Sequence, residues 1–317
     1  MKQTQNWNEK DVKQLIKLRD KGKGWTEIAS IMERTPEAVR MFWRHRFGET
    51  GGSSQENNFP LDAPRVGVFD VETLPMETYQ WNLADPYTSP DHIISGTALL
   101  GWAGKFLNDA TMYSDILTSE EALAKDEERV TKSCWEFLSK CDVVIGHNMI
   151  DFDSKVVGTF FLKHNLPPIK YVMVDTLKIA RKHFKFDSNK LQFINRRLGI
   201  REKIENEGFP LWRKCREGDP EALSTMREYN EGDIYATEDL FYRLRPYAHS
   251  SFNVALYNEI EEPQCPVCGS TELESAGFYY TPAGRWESVR CKKCMCLSRK
   301  KENLLGKDKR KSLLVNS

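Results

Sequence analysis

The sequence contains no long apolar run. Its opening, Met1-Lys2-Gln3-Thr4-Gln5-Asn6-Trp7, lacks the hydrophobic stretch of a secretory signal, and no uninterrupted apolar segment approaches the ~20 residues that span a bilayer. Both absences argue against a membrane partner and make the cytoplasm the expected location. Net charge is missing as well: 46 Lys and Arg balance 46 Asp and Glu, so the whole chain carries no excess that would draw it to a polyanion. Cysteine is scarce, eight in 317 residues, and four of the eight fall into two C-x-x-C pairs. In a reducing compartment that spacing points to metal ligation and away from a disulfide framework. The length exceeds one small domain and suggests two or three units.

What is present is unevenly distributed. Residues 1–50 hold 11 Lys and Arg against 7 Asp and Glu, residues 265–317 hold 11 against 5, and residues 51–264 hold 24 against 34. Basic ends suit nucleic acid; an acidic middle suits a cation site or a solvated surface. In residues 1–48, Trp7, Trp25 and Trp43 recur at equal spacing beside Val12, Leu15 and Ile16, then Ile28, Ala29 and Met32, then Val39 and Phe42. The period predicts three short helices. Thr35 and Pro36 supply the cap and first residue of the third, on which Arg40 and Arg44 lie one turn apart between Arg34 and Arg46. The pattern resembles the Myb/SANT-like branch of helix-turn-helix domains. That resemblance implies a third helix in the major groove with these four arginines as nucleic-acid-binding residues; a three-helix protein-interaction module is the other reading. Residues 49–62, rich in Gly, Ser and Asn, read as a flexible linker.

Residues 63–250 change character. Strands are expected at 65–71, 93–102, 111–116, 141–146 and 171–174. Thr118-x-x-Glu121 has the form of a capping box and opens a helical pattern that runs to Leu138; further helices are expected at 154–164 and 220–244. Strands alternating with helices predict an α/β sheet with helices packed against it.

Three acidic clusters punctuate this region. Phe69-Asp70-Val71-Glu72-Thr73 ends the first strand, where the two-residue period sends Asp70 and Glu72 to one side. Two carboxylates that close repel unless a cation lies between them. Gly146-His147-Asn148-Met149-Ile150-Asp151-Phe152-Asp153 follows a buried strand, and Tyr229-Asn230-Glu231-Gly232-Asp233 puts Tyr229 and Asp233 on one helix face.

In that order the clusters resemble the DEDD exonuclease superfamily, in the branch whose third motif carries tyrosine. The resemblance implies an RNase H-like mixed sheet with flanking helices and 3′–5′ exonuclease activity on DNA, or on RNA. It implies Asp70 and Glu72 as the first motif, Asp153 as the second, with Asp151 its rival, and Tyr229 and Asp233 as the third. Glu228 stands where the alternative branch would carry histidine. On that reading Asp70, Glu72, Asp153 and Asp233 hold two Mg²⁺ or Mn²⁺, the hard cations that oxygen ligands suit, and Tyr229 orients the attacking water. An RNase H-like endonuclease or strand-transfer enzyme and a non-catalytic DNA-binding regulator are the competing readings.

Residues 260–300 contain Cys265-x-x-Cys268 and Cys291-x-x-Cys294, which resemble a zinc ribbon with one tetrahedral structural Zn²⁺. Cys296 is a substitute ligand and a redox dithiol pair the alternative; Cys134, Cys141 and Cys215 read as core cysteines. Arg290, Lys292 and Lys293 beside the knuckles are the nucleic-acid-binding candidates there. Residues 301–317 are basic, have no periodic apolar face and read as an unstructured tail. No protein partner is implied.

Overall fold

A computed structural model of the chain describes residues 9–20, 23, 25–35, 39, 42–43, 64–82, 88–107, 109–201, 206–248 and 252–314. The chain divides into two compact units, Met1–Glu56 and Asn57–Ser317. The 49–62 linker lies outside the described residues. Among the described residues no helix is long and apolar enough to cross a membrane.

The first unit contains α1 (Glu9–Asp20) and α2 (Trp25–Ile31). Leu15, Ile28, Ala29 and Val39 form its core, with Trp25, Met32, Phe42 and Trp43 packed against it, the positions that the helical period picked out. The Trp25 and Trp43 rings lie 5.6 Å apart, and the Arg19 guanidinium sits 4.0 Å above Trp25. Arg34 donates from Nη2 to Asp11 Oδ2 at 2.7 Å with its side chain only 10 % exposed. It therefore braces α1 against the turn after α2. Trp7, Arg40, Arg44, Arg46 and the bounds of the third helix lie outside the described residues.

The second unit is built on β1 (Val66–Leu74). Val66 and Val68 enter one apolar cluster and Phe69 and Val71 the other, so this strand is covered on both faces. It pairs antiparallel with β4 (Ala98–Phe106), which pairs with β5 (Tyr113–Ile116), and parallel with β6 (Val143–Gly146), which pairs with β7 (Val172–Asp175); the sheet order is β5-β4-β1-β6-β7. The single strand expected over 93–102 is two. Ile93–Ser95 (β3) leaves the sheet to pair with Glu77–Thr78 (β2), and the main-sheet strand starts at Ala98 after Gly96 and Thr97.

Two helices also replace one. Thr118 and Glu121 form the reciprocal cap that the sequence predicts, opening α3 (Ser119–Ala124), but Lys125 turns left-handed at φ 59° and ends it, so α4 (Glu128–Leu138) starts afresh. From α4, Phe137 packs 5.1 Å from Trp102 and 6.2 Å from Phe69. Its ring fits because residue 104 is glycine: a Cβ there would meet the ring at 2.5 Å. Removing a ring so buried costs about 3–5 kcal/mol. Then come α5 (Asp153–Lys163), α6 (Thr176–His183), α7 (Leu191–Leu198), α8 (Phe209–Arg216) and α9 (Pro220–Leu244). Asp219 caps α9 by accepting from the N–H groups of Glu221 and Ala222, with Pro220 at the first helical position. Lys105 donates to Glu238 at 2.6 Å, and Ser114 Oγ to Glu231 at 2.5 Å, fixing α9 over β4 and β5.

After α9, β8 (Leu273–Thr281), β9 (Gly284–Cys291) and β10 (Leu297–Arg299) form a second sheet, order β10-β9-β8. Cys265, Val267 and Cys291 share an apolar cluster with Leu244, Phe252 and Val254, which joins this sheet to the end of α9. The tail expected from 301 onward instead continues along β9: Leu304 N–H donates to the Arg285 carbonyl at 2.7 Å, and Lys307–Lys311 forms one short helix, α10.

Candidate active site

Asp70 and Glu72 sit near the C-terminal end of β1, and the register shifts between Glu72 and Thr73. Such a bulge re-aims side chains at the end of a ladder. Asp233 projects from the buried face of α9. Carboxylate oxygens from Asp70, Glu72 and Asp233 all lie within 4.8 Å of one another. Three acids this close repel one another, and a cation held among them would offset that repulsion. The donors are all oxygen and one acid is buried, so the residues present fit a hard divalent ion.

Asp153 opens α5, and its Oδ1 accepts the Val71 N–H at 3.2 Å, between Asp70 and Glu72 on β1. The structure thus brings the second acidic cluster against the first, while the oxygen triad is made by the other three acids. Burial pushes the Asp153 carboxyl up to about 7, with the Val71 N–H opposing and the Asp175 charge adding. Its rival Asp151 is exposed and bound to Lys178, which lowers its pKa.

The loop carrying Asp153 is held by a residue whose part the sequence did not disclose. Asp175 Oδ1 accepts from the N–H groups of Asn148, Leu177 and Lys178, and Oδ2 from Ile150. Asn148 takes φ 70°, and Gly146 lets Met149 fold beneath the loop, since a Cβ at 146 would lie 2.7 Å from Met149 Cβ. Two further contacts orient the triad. Asn230 Nδ2 donates to Asp70 Oδ2 at 2.6 Å, and Trp212 Nε1 to Glu72 Oε2 at 3.3 Å. Asn230 stands three residues before Asp233, so helical spacing alone could have nominated it; Trp212 on α8 carries no such signal. Tyr229 is buried, with its ring 5.9 Å from that of Trp212 in an edge-on arrangement.

Residues 107–245 match the RNase_H_2 model of the RNase_H superfamily. The five-stranded mixed sheet flanked by helices is an RNase H-like fold. The matched residues include Asp153, Tyr229 and Asp233; Asp70 and Glu72 precede them on β1. Among solved structures, the family B DNA polymerase from the hyperthermophilic archaeon Pyrobaculum calidifontis is similar over 61 % of this chain and 26 % of its own, at 15 % identity and a TM-score of 0.45. The chain therefore spans about a quarter of that polymerase's length. No curated protein matches the sequence.

The cysteines form a separate group. Sulfur atoms of Cys265, Cys268, Cys291 and Cys294 lie within 4.8 Å of one another, with Cys265–Cys294 at 3.5 Å and Cys268–Cys291 at 3.6 Å. No disulfide forms among them. Tetrahedral ligands at a metal–sulfur distance of ~2.3 Å would stand about 3.8 Å apart, close to these separations. Cys296 is buried outside the group. Cys134, Cys141 and Cys215 belong to the core, where burial pushes the Cys141 thiol up to about 12. Lys292 is exposed, Lys293 half-exposed, and Arg290 lies near the Met295 carbonyl.

Proposed function

We propose that this chain is a 3′–5′ exonuclease that hydrolyses phosphodiester bonds of nucleic acid, DNA in preference to RNA, with two Mg²⁺ or Mn²⁺ held by Asp70, Glu72, Asp153 and Asp233. The observation that carries the reading is the convergence of Asp70, Glu72 and Asp233, from a strand and a helix some 160 residues apart, within 4.8 Å. A match to the RNase_H superfamily over the segment holding the other motifs supports it.

Bound divalent ions would supply water activation and neutralise charge on the phosphoryl group. The protein's own work is preorganisation. Asn230 and Trp212 each fix one oxygen of a carboxylate, which removes the need to reorient it when a ligand arrives. Tyr229, one helical turn before Asp233 and braced by Trp212, orients the attacking water through its hydroxyl. It is a positioning group and not a base, since the bound ions would supply the activation of water. Tyr229→Phe keeps the ring and removes that contact, and should slow hydrolysis by roughly 10²–10⁴-fold.

The four cysteines are assigned one structural Zn²⁺, whose closed sulfur shell leaves no position for substrate. Arg290, Lys292 and Lys293 are assigned to phosphate contacts, and the first unit, with Arg40, Arg44 and Arg46, to DNA on its Myb/SANT-like resemblance; that unit is the reason for preferring DNA. The test is end-labelled single- and double-stranded DNA and RNA, with a covalently closed circle, incubated with Mg²⁺ or Mn²⁺. Stepwise shortening from the 3′ end is expected. Cutting of circles, or binding without cleavage, would overturn the assignment.

A further inference from the structure

The carboxylate site does not account for the outer surface of the C-terminal sheet. Phe278 and Tyr280 alternate on one face of β8 and are 53 % and 64 % exposed, their rings 6.4 Å apart and edge-on. On the opposite face, Tyr279 is already engaged, 6.3 Å from Trp286, with the Arg299 guanidinium 4.5 Å from that indole. No ring from β9 or β10 covers Phe278 or Tyr280 among the described residues. Their face is not a neutral apolar patch either. Arg285, opposite Tyr280 in the ladder, holds its guanidinium 5.1 Å from the Phe278 ring. Glu287, opposite Phe278, is bound by Lys300 at 2.8 Å, so its charge is offset.

We propose that Phe278 and Tyr280, with Arg285 beside them, bind single-stranded nucleic acid by stacking unpaired bases. Aromatic rings that keep a face open to solvent cost apolar hydration and are used where a planar partner will cover them. Unpaired bases are planar, and their phosphates complement a segment that carries 11 Lys and Arg against 5 Asp and Glu over residues 265–317. A duplex hides its base faces and offers nothing to these rings. A protein partner would need only apolar bulk, which leaves the flanking cations unexplained.

This surface is separate from the carboxylates. The sheet is anchored near Leu244, and about 16 Å of helix separates Leu244 from Asp233. The hairpin would therefore hold a strand at a distance from the scissile bond and raise the residence time of long substrates only. The inference rests on the reading that the substrate is nucleic acid, and not on hydrolysis.

The experiment measures anisotropy of labelled single-stranded DNA, the same sequence as RNA, and a blunt duplex, binding to the full chain carrying Asp70→Asn so that cleavage does not intervene. Adding Phe278→Ala with Tyr280→Ala should weaken single-strand binding on the order of 10- to 100-fold and leave duplex binding unchanged. Phe278→Leu with Tyr280→Leu, which keeps bulk at these exposed positions, should lose as much, and Tyr280→Phe should lose little. Unchanged single-strand affinity, an equal loss for duplex, or full affinity in the leucine pair would overturn the proposal. A trinucleotide too short to reach the hairpin separates the two readings. Its hydrolysis in the Asp70 background restored to wild type should be untouched by either pair. Absence of that hydrolysis in the wild-type chain counts against the exonuclease alone.

Discussion

The carboxylate site and the cysteine group in the second unit solve the same electrostatic problem in opposite ways. Asp70 and Glu72 from one strand meet Asp233 from a distant helix, with Asp70 and Glu72 half-buried and Asp233 buried. Cys265, Cys268, Cys291 and Cys294 come as two local pairs, three of them buried, inside the apolar cluster that fastens the small sheet to α9. The first gathers negative charge that a bound cation would offset. The second, packed in the core, would close around an ion with four sulfur ligands. Acids held together against their charge are a feature of work done on a ligand, and thiols packed among Val267, Leu244 and Phe252 are a feature of folding.

Substitutions should separate these two behaviours. The largest effect is expected from Asp70→Asn, which keeps shape but removes one charge. Hydrolysis should fall by more than the roughly 10–100-fold that loss of a supporting contact costs, with Tm unchanged or raised. Wild-type turnover in single-nucleotide release assays would remove the site. Asn230→Ala takes away the donor to Asp70 Oδ2 and should cost about 10–100-fold in rate, with a shift in the metal concentration needed for half-maximal rate. A fall in Tm without that shift would make Asn230 a packing residue only.

Cys268→Ser tests the other side of the comparison. It should release zinc, measured by elemental analysis, and lower Tm by about 10 °C or more, because the ligand sits in the core that Leu244 and Phe252 share. A chain that lost its metal yet melted normally would break the contrast. The smallest effect concerns pH. Burial pushes Asp153 up to about 7 and Asp239 up to about 6, against an ordinary value of 3.8. Between about pH 4 and 7 the folded protein therefore keeps protons that the unfolded chain has released, so stability falls as pH rises. In magnesium-free buffer Asp153→Asn should flatten the fall in Tm across that window; an unaltered slope would show that burial of Asp153 does not govern it.

Much of the fold was legible beforehand, and unevenly. The capping box at Thr118 and Glu121 and the apolar positions Leu15, Ile28, Ala29 and Val39 of the first unit are short-range chemistry, and the structure realises them. The break at Lys125 and the departure of Ile93–Ser95 from the main sheet were not legible. Each depends on which strand or turn is available as a partner, and no local pattern encodes that. The same division runs through Arg34, whose ion pair with Asp11, 23 residues away, no local pattern announces.

For the candidate site, the sequence by itself put Asp70 with Glu72 and Tyr229 with Asp233, through strand alternation and helical spacing, and nominated the four acids only through its resemblance to the DEDD superfamily. It also named the cysteine pairs, whose spacing is a local property. Tertiary structure alone decided that Asp153 lies against β1, that Asp175 ties down the preceding loop through the N–H groups of Asn148 and Ile150, and that Asn230 and Trp212 orient two of the carboxylates. These are contacts between segments up to 160 residues apart, and their geometry is fixed by how the elements pack and not by any repeat within them.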